Sequence, residues 1–123
     1  MKPLLSLVAL ALLACAIVPK VNPSLDTQVW VRSHNGSDVD VYFLCGDGGA
    51  KWLGWVALDG TATFSIAPAE RRCARGLNFF LVVRSQGRGY WVGPVRPQGD
   101  TYVELVIEKY AGLSTARLLP ELR

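Results

Sequence analysis

The chain has a single histidine, His34, flanked by Ser33 and followed closely by Asp38. Serine, histidine and aspartate together can perform nucleophilic acyl transfer, provided each hydrogen-bonds the next. Here the serine and histidine are neighbours, and adjacent residues of a strand point to opposite faces. His34 is therefore read as a polar turn residue. Glu104 and Glu108 could form an acid–base pair, but four positions along a strand separate them by about 13 Å, too far for the direct carboxylate pair of a glycosidase. Asp38, Asp40 and Asp47 offer oxygens of the kind calcium takes, without the clustering such a site needs. A structural zinc site wants four Cys or His ligands, more than this chain supplies beyond its N-terminal segment. Gly46-Asp47-Gly48-Gly49 lacks the lysine and the helix start of a phosphate loop. The expectation is no catalytic residue, no metal and no cofactor. The enzymatic alternative is a small hydrolase whose end loops gather His34, Asp47 and Asp100 into one pocket.

The three cysteines carry clearer chemistry. Lys2 and an apolar run from Leu4 lead to Leu12-Leu13-Ala14-Cys15. A positive start, an apolar stretch and small residues at its end make an export signal. The run stops at Val18, short of a membrane span. Ala14-Cys15 resembles the lipobox of bacterial lipoproteins, in which the cysteine sulfur takes a diacylglycerol before cleavage. Ala14-Cys15-Ala16 is also an A-x-A site, whose cleavage would release a soluble protein. The lipobox reading divides the chain into a signal (1–14), a tether (15–27) rich in Pro and polar residues, and one folded domain (28–123). It implies an envelope protein held by lipid at a membrane. Ala16, where an aspartate would retain it at the inner membrane, favours the outer one. Cys45 and Cys73 then remain as an even pair in an oxidising compartment, where a disulfide is the default. Closing that loop stabilises by about 3–4 kcal/mol. The competing reading is two buried thiols.

Cleavage before Cys15 leaves 109 residues with 12 basic and 10 acidic side chains. That length supports one core. The small charge surplus, without a broad basic stripe, speaks against nucleic acid as a partner.

The domain must be built of strands. Val29 and Val31 alternate with Trp30 and Arg32. Val39, Val41, Phe43 and Cys45 alternate with Asp40 and Tyr42. Ala62, Phe64 and Ile66 alternate with Thr63 and Ser65, and Val103, Leu105 and Ile107 with Glu104. Such alternation marks half-buried strands. Leu77 to Ser85 is the most apolar segment and is placed centrally. Asn35-Gly36 is a strong hairpin signal, and Asp59-Gly60, Gln86-Gly87 and Gln98-Gly99 mark further turns. Leu113 to Leu119 could add an edge strand. About seven antiparallel strands with no helix beyond one turn give an all-β fold, a single small β-sandwich, immunoglobulin-like or similar. The longer Pro68–Gly76 connection would carry the chain between sheets.

Several aromatics oppose the aliphatic faces of these strands. Trp30 lies opposite Val29 and Val31, Tyr42 opposite Val41 and Phe43, and Tyr102 opposite Val103. With Trp91 they form a candidate binding surface. Cross-strand packing on a sheet face would explain them equally.

Val29-Trp30-Val31-Arg32, Asp38-Val39-Asp40-Val41-Tyr42, Leu53-Gly54-Trp55-Val56, Thr63-Phe64 and Tyr102-Val103-Glu104-Leu105 together resemble a family of small bacterial envelope proteins. Those carry a signal or lipobox followed by one β-sandwich domain. The resemblance implies location and fold, and no activity. The expected role is a non-catalytic binding or structural module at the cell envelope. Its partners would be the membrane, through the lipid, and another envelope protein or a surface polymer.

Overall fold

A computed structural model of the protein describes residues 26–45, 49–67, 76–97 and 102–119. The signal, Cys15, most of the tether, Asp47, Cys73 and Asp100 lie outside the described residues.

Eight strands follow in order: β1 (Thr27–Ser33), β2 (Val39–Cys45), β3 (Lys51–Val56), β4 (Thr61–Ile66), β5 (Leu77–Val83), β6 (Arg88–Val95), β7 (Tyr102–Ile107) and β8 (Thr115–Leu119). A 3-10 turn, Ala111–Leu113, precedes β8. The strands form two four-stranded sheets, ordered β4-β1-β7-β8 and β3-β2-β5-β6. The two sheets pack face to face as a small β-sandwich, as the alternation required.

Three details depart from the expected arrangement. The edge segment before Leu119 is a full strand, β8, which brings the strands among the described residues to eight. One neighbouring pair, β1 and β7, is parallel, with Val29 beside Val103 and Val31 beside Leu105. Finally, an immunoglobulin domain orders its sheets ABED and CFG, whereas here the first strand sits between the fourth and the seventh. β1 begins at Thr27, which is fully buried.

The core is the inner half of each alternating strand. Val29, Val39, Val41, Leu77, Phe79, Leu81, Val83, Val103, Leu105 and Ile107 are all fully buried. Each such side chain stabilises the fold by about 1.5–3 kcal/mol relative to exposure. Every position in β5 facing inward is apolar, consistent with its place between β2 and β6.

Asn35-Gly36 is not a hairpin. It carries the chain from β1 in one sheet to β2 in the other. Asn35 is 5 % exposed, and its Nδ2 donates to the carbonyls of Glu108 (3.2 Å) and Lys109 (3.1 Å). Its Oδ1 accepts from the Ser37 N–H (3.1 Å). A second crossing, through Asp59-Gly60, runs alongside: the Asp59 N–H donates to the Asn35 carbonyl (3.0 Å) and the Ser33 N–H to the Gly60 carbonyl (2.8 Å). A buried amide that satisfies three backbone groups is what closes this end of the sandwich.

Candidate functional site

The outer face of the β3-β2-β5-β6 sheet is aromatic. Register places Trp91 beside Phe80, Phe80 beside Tyr42 and Tyr42 beside Trp52. Four rings thus form one row across all four strands. Trp91 and Phe80 have centroids 4.6 Å apart, and Phe80 and Tyr42 6.4 Å. These are tilted contacts of the kind that stabilise cross-strand pairs. Phe80 and Tyr42 are half-buried, whereas the terminal rings stand clear, Trp91 58 % and Trp52 57 % exposed.

The adjacent row is Gly89, Val82, Asp40 and Trp55. Trp55 is 46 % exposed. Gly89 is required here because the Phe80 ring lies over it, where any Cβ would stand. Asp40 is the polar centre of the face. Arg84 Nε and Nη2 donate to its two oxygens at 2.9 and 2.8 Å, and Trp52 Nε1 donates to Oδ1 at 3.2 Å. The Arg84 guanidinium lies 5.1 Å from the centroid of the Trp55 ring, a cation–π contact. The Arg84 hydrogen bonds hold the Asp40 carboxyl below its ordinary range, against its partial burial, and the same contact raises Arg84. One carboxylate therefore orients both β3 tryptophans, Trp52 directly and Trp55 through Arg84.

Simple alternation would put Trp52 and Trp55 on opposite faces, since they lie three apart. A register shift in β3 opposite Val41 and Tyr42 prevents this. Leu53 packs on the core and Gly54 is buried beneath the Phe64 ring. The extra residue lets both indoles face outward. An isolated glycine within a strand is the signal from which this bulge could have been read.

The four residues expected to share one binding surface divide between the two sheets. Tyr42 and Trp91 belong to the face just described. Trp30 and Tyr102 belong to the outer face of the other sheet, their centroids 4.8 Å apart at 34°. Trp30 is half-buried there. Beside it Glu104 accepts from Arg117 Nε at 2.6 Å and from Arg32 Nη2 at 3.4 Å. A cavity of about 260 Å³, lined by Trp30, Arg32, Thr61, Thr63 and Glu104 among others, opens on this face.

The Ser33, His34 and Asp38 set is not assembled. Ser33 is buried and its Oγ accepts the Asn35 N–H at 3.1 Å, His34 is exposed, and Asp38 Oδ1 accepts the Leu58 N–H at 3.1 Å. Among the described residues no group of three or more His, Cys, Asp or Glu could hold a metal ion. No described helix is long and apolar enough to cross a membrane. Of the hydrolase cluster only His34 falls within the described residues. Cys45 ends β2, half-buried, beside Leu77 at the start of β5, and is not a free thiol.

No family model matches the chain, and no curated protein matches it. Among solved structures it is similar to an NMR structure of a protein from Eubacterium rectale, at 13% identity and a TM-score of 0.48, over 84% of this chain and 97% of that one.

Proposed function

We propose that the protein is an exported, lipid-anchored, non-catalytic binding module of the bacterial cell envelope, and that the β3-β2-β5-β6 face is its binding surface. The observation that carries the binding role is the gathering of three exposed indoles on one sheet face. Isolated exposed apolar residues are ordinary, whereas a contiguous patch marks an interaction site. The rings are held by neighbours, so little side-chain freedom is lost on binding. Asp40 is no candidate for a general acid, because its contacts with Arg84 favour the ionised form at neutral pH.

The envelope location rests on Leu12-Leu13-Ala14-Cys15. With Cys15 as the new N-terminus, eleven residues separate it from β1. Extended, they reach about 38 Å, enough to hold the domain clear of a lipid surface. The pairing of Cys45 with Cys73 belongs to the same reading. Leu77 sits beside Cys45 in the ladder, and four residues of chain span at most about 14 Å, so Cys73 lies within reach.

Intact-mass measurement of the protein extracted from membranes tests the reading. The expected species begins at Cys15, carries acyl chains and has lost two hydrogens to a disulfide. An unacylated chain in the cytosol with both remaining thiols reactive refutes it.

A further inference from the structure

Resting on that reading of the aromatic face, we infer that the row Trp91, Phe80, Tyr42 and Trp52 binds a neutral polysaccharide chain laid across the strands. Three observations converge on this class. The first is periodicity. One ring per strand follows the inter-strand spacing of about 4.8 Å, close to the length of one pyranose unit along an extended glycan. A repeating polymer matches a repeating row, whereas a protein partner offers irregularly placed anchors.

The second observation is charge. Asp40 is the one charged residue in the two central rows, and Arg84 neutralises it through two hydrogen bonds. Asp38, next to Arg84, adds a second carboxylate, so these groups offer no surplus positive charge to a phosphate- or carboxylate-bearing polymer. The third is the mixture of chemistries. Pyranose rings present polarised C–H groups on their faces, which stack on the electron-rich face of an indole, and hydroxyls at their rims. Asp40 Oδ1 accepts two hydrogen bonds and Oδ2 one. A carboxylate has about four acceptor positions, so a position on Oδ2 remains for a sugar hydroxyl. Asp40 lies in the row next to the rings, within the breadth of one sugar. The end indoles are the most exposed rings of the row and Phe80 and Tyr42 between them are half-buried, so both ends of the row are open to a chain.

The test is native affinity electrophoresis of the detergent-solubilised full chain in gels containing hydroxyethylcellulose, glycol chitin or anionic polygalacturonate. The neutral glucan or the chitin derivative is expected to retard the wild type, and polygalacturonate to leave it unretarded. Trp52→Ala and Trp91→Ala should each weaken retardation by up to about tenfold, and the double variant should abolish it. Trp30→Ala, on the opposite face, should retain it, with circular dichroism confirming the fold of each variant. Folded wild type retarded by neither neutral polymer overturns the inference, as does retardation indifferent to the double variant or stronger with polygalacturonate. Sedimentation velocity and cross-linking at the membrane separate this failure from that of the broader reading. A self-dimer or a discrete protein cross-link lost with Trp91→Ala, without polymer binding, refutes the polysaccharide and leaves a binding face. If neither polymer nor protein contact depends on the face, both readings fall.

Discussion

Replacing Asn35 and Gly36 one at a time separates two architectures that the same dipeptide could support. In a type I′ hairpin both central residues need φ > 0, so alanine at the glycine would be strained and the asparagine would be exposed. In this fold Gly36 is not in a left-handed conformation and a Cβ there meets nothing within 4 Å. Gly36→Ala should therefore leave stability within about 0.5 kcal/mol of wild type, or raise it slightly by restricting the unfolded chain. Asn35→Ala removes three hydrogen bonds and leaves the Glu108 and Lys109 carbonyls and the Ser37 N–H without that partner. Each bond contributes about 0.5–1.5 kcal/mol net, and a buried group left unpaired costs about 1–3 kcal/mol. These groups are partly buried, so water recovers some of the loss, and the expected cost is about 2–3 kcal/mol. For a domain of this size that is a fall in Tm of about 10–20 °C. Urea denaturation with an unchanged m-value reads the difference directly. A loss under about 1 kcal/mol for Asn35→Ala, or a Gly36→Ala variant less stable than Asn35→Ala, would show that the sheet-to-sheet corner described above is wrong.

Further predictions concern the aromatic face and its supports. Gly89→Ala should displace the Phe80 ring and cost about 1–3 kcal/mol, while Trp91→Ala, removing an exposed ring, should cost less; equal losses in thermal melts would contradict the packing. The depressed Asp40 carboxyl ties stability to pH with a definite sign. Its unfolded form takes up protons first, below about pH 4, so its stabilising contribution is complete above that range and is lost as pH falls through the lower folded value. Asp40→Asn should flatten the acid limb of the stability curve, and an acid limb identical to wild type refutes the coupling. Reducing the protein, or replacing Cys45 with serine, should lower stability by about 3–4 kcal/mol if Cys45 closes the loop to Cys73; denaturation midpoints unchanged by dithiothreitol count against that pairing.

The aromatic and polar faces have different consequences for the domain. On one side Glu104, between two arginines, and the Trp30–Tyr102 stack make a face whose polar groups answer one another. On the other, Asp40 and Arg84 do not shield Trp52 and Trp55 but orient them, and these two and Trp91 stand open to solvent. This difference in exposure is why the proposed binding surface is placed on one face, although both carry tryptophan.

Strict alternation in β1, β2 and β7 determined which of their side chains form the core, because a period of two can bury only one face of a strand. Val29, Val41 and Leu105 were legible as core residues from that pattern alone, and with them the two-sheet sandwich and the outward orientation of Trp30, Tyr42 and Tyr102, whereas the pattern could not tell Phe79, which is buried, from Phe80, which is not. Tertiary structure decided how the strands are shared between sheets. Local pattern cannot tell a hairpin from a corner, and the Asn35 amide reaches carbonyls more than seventy residues away to make it a corner. The same limit applies to the site. Trp52 and Trp55 join Trp91 only because a bulge at Gly54 breaks the alternation, while Trp30 and Tyr102 are carried to the far side by membership of the other sheet. Side-chain direction is a local property of a strand, but which directions converge depends on pairing between distant segments, and that is settled only when the two layers close on one another.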